Sequence, residues 1–191
     1  MTDIRIDCPV QGKLIPLSAV PDPAFSSGAI GRGGAVQDPG GKVFAPFDGE
    51  VIAFMDTKHA IALRSADGIE LLIHIGLDTV QLQGQHFTAH VAQGDKVTRG
   101  QLLLECDLAA IRAAGYPTTT PVVVTNADQY GTITLALGPE VIVAPPAAAS
   151  SQEEPPSDAL QPPEERTPEP ASGGAMQKVS RFFGKIFGMI N

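Results

Sequence analysis

Two histidines sit where chemistry could be done. His59 lies in Thr57-Lys58-His59-Ala60-Ile61-Ala62-Leu63-Arg64 and His74 in Glu70-Leu71-Leu72-Ile73-His74-Ile75-Gly76-Leu77-Asp78-Thr79-Val80, two short β-like runs separated by Ser65-Ala66-Asp67-Gly68. Asp-Gly between aliphatic runs signals a hairpin turn. If all four residues form the loop, Arg64 pairs with Ile69 and His59 falls opposite His74; if Asp67-Gly68 alone forms it, Ile61 faces His74. Side chains alternate with period two, so either register puts both imidazoles on one face, about 5–7 Å apart.

Such a pair leaves three readings: a metal site, an acid–base pair, or a phosphoryl acceptor with a helper. A zinc site normally wants three or four ligands. His86 and His90 lie beyond the Gln83-Gly84 turn, where spacing does not force them in, and neither His-x-His nor His-Glu-x-x-His occurs. Phosphoryl transfer asks for an acceptor with one free ring nitrogen and the other held by a hydrogen bond. It also asks for a helper that donates to the phosphoryl oxygens. Gly76, two residues after His74, offers a backbone carbonyl to the imidazole and room for a phosphate. Thr57 shares a face with His59 and carries a hydroxyl.

The elements that must position these groups are short strands. Apolar runs at Gly12–Pro16, Lys42–Ala45, Gly49–Phe54, His59–Arg64, Glu70–Ile75, Thr79–Leu82, Phe87–Val91, Lys96–Thr98, Gln101–Cys106, Pro121–Thr125 and Thr132–Ala136 alternate with Gly-, Pro- and Asp-bearing turns. This rhythm predicts an all-β fold, an antiparallel β-sandwich or barrel. One segment, Asp107–Gly115, predicts a helix with Asp107 as N-cap and Gly115 as its stop.

The chain of 191 residues carries a formal charge of -8, with 13 basic and 21 acidic residues. No basic stripe is present to neutralise phosphates, so nucleic-acid binding is not expected. The N-terminus has no secretory signal and no apolar run reaches the ~18 residues of a membrane span, which points to a cytoplasmic protein. Cys8 and Cys106 are then expected to be reduced thiols.

Composition divides the chain into residues 1–144, a Pro/Ala/Glu-rich linker at 145–174 and a patterned segment at 175–191. In the last, Met176, Val179, Phe182, Phe183, Ile186, Phe187, Met189 and Ile190 fall at helical spacing, with Lys178, Arg181 and Lys185 on the other face. A basic amphipathic helix on a tether reads as a peripheral membrane anchor; packing on the domain or on a partner is the plainer alternative.

Val20-Pro21-Asp22 with Phe25, Ala45-Pro46-Phe47-Asp48-Gly49, Thr57-Lys58-His59-Ala60, Gly68-Ile69-Glu70, His74-Ile75-Gly76-Leu77-Asp78-Thr79-Val80, Gly94-Asp95-Lys96-Val97 and Thr120-Pro121-Val122-Val123 with Asn126 follow one another in this order. Together they resemble the enzyme IIA domain of the glucose family of the phosphoenolpyruvate-dependent sugar phosphotransferase system, over about residues 8–144. The resemblance implies a β-sandwich with a shallow apolar depression around the histidines, with Met55, Leu72 and Val80 at its rim. It implies that His74 takes a phosphoryl group from the histidine-containing phosphocarrier protein and passes it to a cysteine in the IIB domain of a sugar permease. His59 would steady the phosphoryl group, Thr57 would hydrogen-bond within the pair, and Asp78 matches an acidic residue beside the site. For Asp78 a local role as a turn cap is the alternative.

No cofactor is required by this chemistry; a zinc ion bridging His59 and His74 would need a carboxylate from a partner. The competing function is a regulatory binding protein whose partners depend on the phosphorylation state of His74. Gly94-Asp95-Lys96-Val97 and Gly100-Gln101-Leu102-Leu103 share the rhythm of biotinyl and lipoyl carriers, but no modifiable lysine stands in the required setting.

Overall fold

The structure, a computed structural model, describes residues 1–137. The expected linker at 145–174 and helix at 175–191 lie outside the described residues. Among the described residues there are twelve strands: β1 (Thr2–Asp7), β2 (Lys13–Pro16), β3 (Arg32–Gln37), β4 (Lys42–Phe44), β5 (Gly49–Phe54), β6 (Ala60–Ser65), β7 (Glu70–His74), β8 (Phe87–Ala89), β9 (Lys96–Val97), β10 (Leu102–Cys106), β11 (Thr120–Val124) and β12 (Tyr130–Ala136). Two short helices, α1 (Pro23–Ser26) and α2 (Leu108–Ala113), interrupt them.

A seven-stranded antiparallel sheet in the order β2-β3-β11-β7-β6-β5-β9 is joined by a three-stranded antiparallel sheet, β4-β10-β8. Strand β7 is the middle of the larger sheet. Leu71, Leu72, Ile73 and His74 are consequently all buried, without the in-and-out alternation of a one-faced strand. Ile61, Leu63, Leu71, Ile73, Leu103 and Val122 lie in one core cluster and each is fully buried. At full burial each contributes about 1.5–3 kcal/mol. Lys13 on β2 and Lys96 on β9 put charge on the two edges of the sheet, which discourages further pairing. The all-β antiparallel expectation holds.

Three details differ from the sequence reading. Thr79–Leu82 forms a 3-10 turn, not a strand, because Asp78 and Gln83 on either side adopt left-handed backbone (φ 58° and 51°). Strand β3 escapes notice because Gly33 and Gly34 dilute its pattern. The glycine is needed there, since a Cβ at Gly33 would strike the Val122 carbonyl of β11. Strand β1 pairs in parallel with β12, at the other end of the domain's sequence, a contact invisible to local pattern.

Helix α2 forms as expected: the Asp107 carboxylate accepts from Ala110 N at 3.0 Å, and Gly115 turns left-handed (φ 91°) after the last turn. Cys8 and Cys106 are free thiols, both half-buried. Burial pushes the Cys106 thiol up to about 11, which makes it a poor nucleophile.

Candidate functional site

The hairpin that carries the histidines closes in neither of the two expected registers. Ser65 and Ile69 pair through Ser65 N to Ile69 O at 2.9 Å, so the loop is Ala66-Asp67-Gly68, three residues long. Only Gly68 of these has a left-handed backbone (φ 84°), the pattern of a three-residue loop ending in a bulge rather than a two-residue Asp-Gly turn. The Ser65 hydroxyl accepts from Ile69 N, and Asn126 ties the loop to β11 by donating to Gly68 O (2.8 Å) and accepting from Glu70 N (3.1 Å). Arg64 therefore pairs with Glu70 and Ala60 with His74.

An odd loop reverses the parity argument. In an unbroken ladder His59 would fall opposite Ile75 and face away from His74. The chain avoids this because His59 stands outside β6, in a bend that follows left-handed Lys58 (φ 57°). Its carbonyl still accepts from Ile75 N at 2.8 Å, which holds the end of the ladder closed. The two imidazole centroids end 4.9 Å apart, with their planes at 77°.

Each ring is held through one nitrogen. His74 Nδ1 donates to the Gly76 carbonyl at 2.8 Å, and His59 Nδ1 is hydrogen-bonded to the Thr57 hydroxyl at 2.6 Å. The Gly76 carbonyl reaches back to His74 because Gly76 adopts φ 73°. The room expected at Gly76 is not open to a phosphate: a Cβ there would meet Thr79 Cγ2 at 2.6 Å and Pro117 O at 2.8 Å. The missing side chain serves close backbone packing instead.

Burial sets the electrostatics. His59 is 4% and His74 8% exposed. Desolvation lowers the pKa of His59 to about 3, with the neighbouring His74 adding to the shift. It lowers that of His74 as well, while the Gly76 hydrogen bond and the charges of Asp22 and Asp78 pull the other way. Both rings are thus neutral at pH 7. Asp78 is exposed and makes no cap hydrogen bond to the turn it precedes, so its connection to the site is through charge.

Two contributors carried no assigned role in the sequence reading. Phe25 packs edge to face on His74, centroids 5.2 Å apart, and is itself buried. Asp22 caps α1, accepting from Ala24 N at 2.8 Å, and so fixes the turn that delivers Phe25. The signal was Asp-Pro, an N-cap followed by proline at the first helical position. Of the expected rim, Met55 and Val80 are half-buried, whereas Leu72 is buried in the sheet.

No group of three or more His, Cys, Asp or Glu side chains gathers at metal-binding distance among the described residues. The pair alone supplies two nitrogens, half of what a tetrahedral zinc ion takes.

Residues 4–130 match the family model for the phosphoenolpyruvate-dependent sugar phosphotransferase system, EIIA 1. This chain belongs to that family. The EIIA domain is 53% identical over 131 residues to the PTS system beta-glucoside-specific EIIBCA component of Halalkalibacterium halodurans, a match covering 69% of this chain and 21% of the relative. It is 44% identical over 126 residues to the PTS system glucose-specific EIIA component of Oceanobacillus iheyensis, covering 66% of this chain and 76% of the relative. The chain thus spans about a fifth of the length of the EIIBCA relatives and about three quarters of the EIIA one. Among solved structures the domain resembles the glucose permease IIA from Mycoplasma capricolum, with a TM-score of 0.59 and 33% identity over 62% of this chain and 77% of that one.

Proposed function

We propose that this EIIA domain is a phosphocarrier of sugar uptake. His74 accepts a phosphoryl group from the histidine-containing phosphocarrier protein and passes it to the IIB cysteine of a sugar permease. The observation that carries this reading is the hydrogen bond from His74 Nδ1 to the Gly76 carbonyl. A carbonyl only accepts, so the ring proton is on Nδ1 and the lone pair of Nε2 is free. Burial keeps that lone pair from being protonated at neutral pH.

In the first step the Nε2 lone pair attacks phosphorus and the donor's N–P bond breaks, its electron pair returning to the donor imidazole. In the second a cysteine thiolate attacks phosphorus and the His74 N–P bond breaks. His59 helps by hydrogen bonding. With the Thr57 hydroxyl donating to its Nδ1, the His59 proton resides on Nε2 and is available to a phosphoryl oxygen. Burial keeps the ring neutral, and a neutral imidazole donates a hydrogen bond from Nε2 without giving up its proton. Asp78 and Asp22 oppose the negative charge of the phosphoryl group, which favours handing it on.

The unit 1–144 is the phosphocarrier, and residues 145–174 and 175–191 tether it to the cytoplasmic face of the membrane. A tether raises the effective concentration beside a membrane-bound acceptor without adding a contact at His74. The names of the EIIBCA relatives place an EIIA component in one protein with EIIB and EIIC components, which supports a IIB partner.

The test is incubation of the purified full chain with phosphoenolpyruvate, enzyme I and the phosphocarrier protein, followed by intact mass. A gain of one acid-labile phosphoryl group that is lost in His74→Gln is expected. No gain from a competent donor would overturn the proposal.

A further inference from the structure

The strand that carries His74 runs into a loop in which three successive peptide units are each held by one partner. Ile75 N donates to the His59 carbonyl at 2.8 Å, and Leu77 N donates to the Pro117 carbonyl at 2.9 Å. Between them the Ile75 carbonyl accepts from the Thr79 hydroxyl at 2.5 Å. Among the described residues no backbone amide donates to that carbonyl, and Ile75 is buried. A buried carbonyl without a donor is costly, so the hydroxyl meets a need that the backbone leaves open.

Thr79 reaches the loop because Asp78 turns the chain. Asp78 adopts left-handed backbone (φ 58°), and the 3-10 turn that starts at Thr79 folds back against Ile75 and Gly76. Both branches of the threonine side chain are then used. The hydroxyl holds the Ile75 carbonyl, and the methyl carbon Cγ2 lies 2.6 Å from where a Cβ on Gly76 would stand. Thr79 is 0% exposed, so it offers no surface to a partner protein. Gly76 is the joint between two peptide units and brings no stiffness of its own. The unit before it is pinned by Thr79 at its carbonyl, and the unit after it by Pro117 at its amide. The carbonyl of that second unit is the one that accepts from His74 Nδ1 at 2.8 Å.

We infer that Thr79 is a positioning residue for phosphoryl transfer: by donating to the Ile75 carbonyl and packing its methyl group on Gly76, it keeps the Gly76 carbonyl on His74 Nδ1 and so leaves Nε2 free to attack. The inference rests on the phosphocarrier reading above. Thr79 makes no hydrogen bond to either imidazole, and its action passes through the Gly76 peptide units. With the Ile75 carbonyl released, the glycine can rotate, its carbonyl leaves Nδ1, and the ring proton redistributes between the two nitrogens. A ring with its proton on Nε2 has no lone pair there for phosphorus. The effect therefore belongs to the chemical step and not to the encounter with the donor. Serine in place of Thr79 keeps the hydroxyl and loses the methyl group; valine keeps the shape and loses the donor.

The experiment compares full-length wild type, Thr79→Ser and Thr79→Val in two measurements. Proton–nitrogen NMR reads the tautomer of His74 in the unphosphorylated protein. The rate of His74 labelling, taken against the concentration of the phosphorylated carrier protein, separates kcat from KM. Thr79→Val is expected to move a measurable share of the ring proton to Nε2 and to lower kcat about ten- to a hundredfold at unchanged KM, the scale on which small misplacements act. Thr79→Ser should keep the wild-type tautomer and label at close to the wild-type rate. Thr79→Ala also removes the hydroxyl, without setting a methyl group against the carbonyl, and carries the same readings if Thr79→Val does not fold. A wild-type tautomer and kcat in the folded hydroxyl-free variant would overturn the inference, as would a change confined to KM. So would an equal loss of kcat in Leu103→Val, a core substitution on β10 brought to the same melting temperature, since the effect would then be one of stability. A wild type that takes no label would remove the phosphocarrier reading and the transfer role with it, whereas the outcomes above overturn the role of Thr79 alone.

Discussion

The Phe25 ring meets His74 edge to face, with centroids 5.2 Å apart and an interplanar angle of 62°. His74 is thus clasped between two rings, Phe25 and His59, while its Nδ1 is fixed by Gly76. An imidazole restrained in this way presents one nitrogen in one direction, which removes an orientational cost from each transfer.

Truncating the clasp should separate stability from labelling. Phe25→Ala is expected to cost about 3–5 kcal/mol, the usual range for a buried phenylalanine. Phe25→Leu, which keeps most of the volume, should fold and take up phosphate at a reduced rate. Denaturant unfolding and a labelling time course measure the two effects, and a wild-type rate in Phe25→Leu would deny Phe25 a positioning role.

How much of this was legible before the structure depends on the length scale of the interaction. Asp107 and Gly115 delimit α2 through contacts within a few residues, so the helix could be read directly. The hairpin was legible as a hairpin, but its register was not. Asp67-Gly68 is compatible with loops of two, three or four residues, and the choice is made by the Ser65 hydroxyl and by Asn126, a residue far along the chain in the turn after β11. The histidines were correctly joined for an incorrect reason: the ladder pairs His74 with Ala60, and the bend at Lys58 brings His59 back. Phe25 could not be placed because nothing local says that α1 folds against the end of β7.

His59→Gln should still accept phosphate on His74 but deliver it poorly to a IIB domain, because glutamine keeps a donor without the orientation that Thr57 gives the ring. A loss of about 10²–10³ in transfer rate is typical when one oxyanion-type donor is removed. Transfer measured from pre-phosphorylated protein decides this, and unimpaired delivery would count against a helper role.

Gly76→Ala is expected to be costly out of proportion to one methyl group. The new Cβ would press on Thr79 and the Pro117 carbonyl at a left-handed backbone position, a strain of about 1–3 kcal/mol. Relief by a backbone shift moves the carbonyl that holds His74. A lowered melting temperature together with slower labelling is expected, and an unchanged labelling rate would detach the carbonyl from the chemistry.

Stability should fall with acidification in a window set by the histidines. Both folded-state pKa values are lowered, so between the unfolded value near 6.5 and the folded value, about 3 for His59, the unfolded chain binds more protons. The stabilisation is full above pH 6.5 and is lost as pH falls toward 3. From pH 7 to pH 5 His59 alone accounts for a loss of about 2 kcal/mol. Urea titrations at the two pH values should show this loss in the wild type and a smaller one in His59→Gln; equal losses in both would contradict the buried, neutral His59.

If the Gly76 carbonyl fixes the proton of His74 on Nδ1, Nε2 is left to carry the phosphoryl group. Long-range proton–nitrogen NMR correlation of the histidine rings, before and after phosphorylation, reads this directly. A single phosphohistidine is expected, His74, substituted at Nε2, with a protonated Nδ1 both before and after the reaction and with His59 unmodified. Phosphorus found on Nδ1 of His74, or on His59, would contradict it.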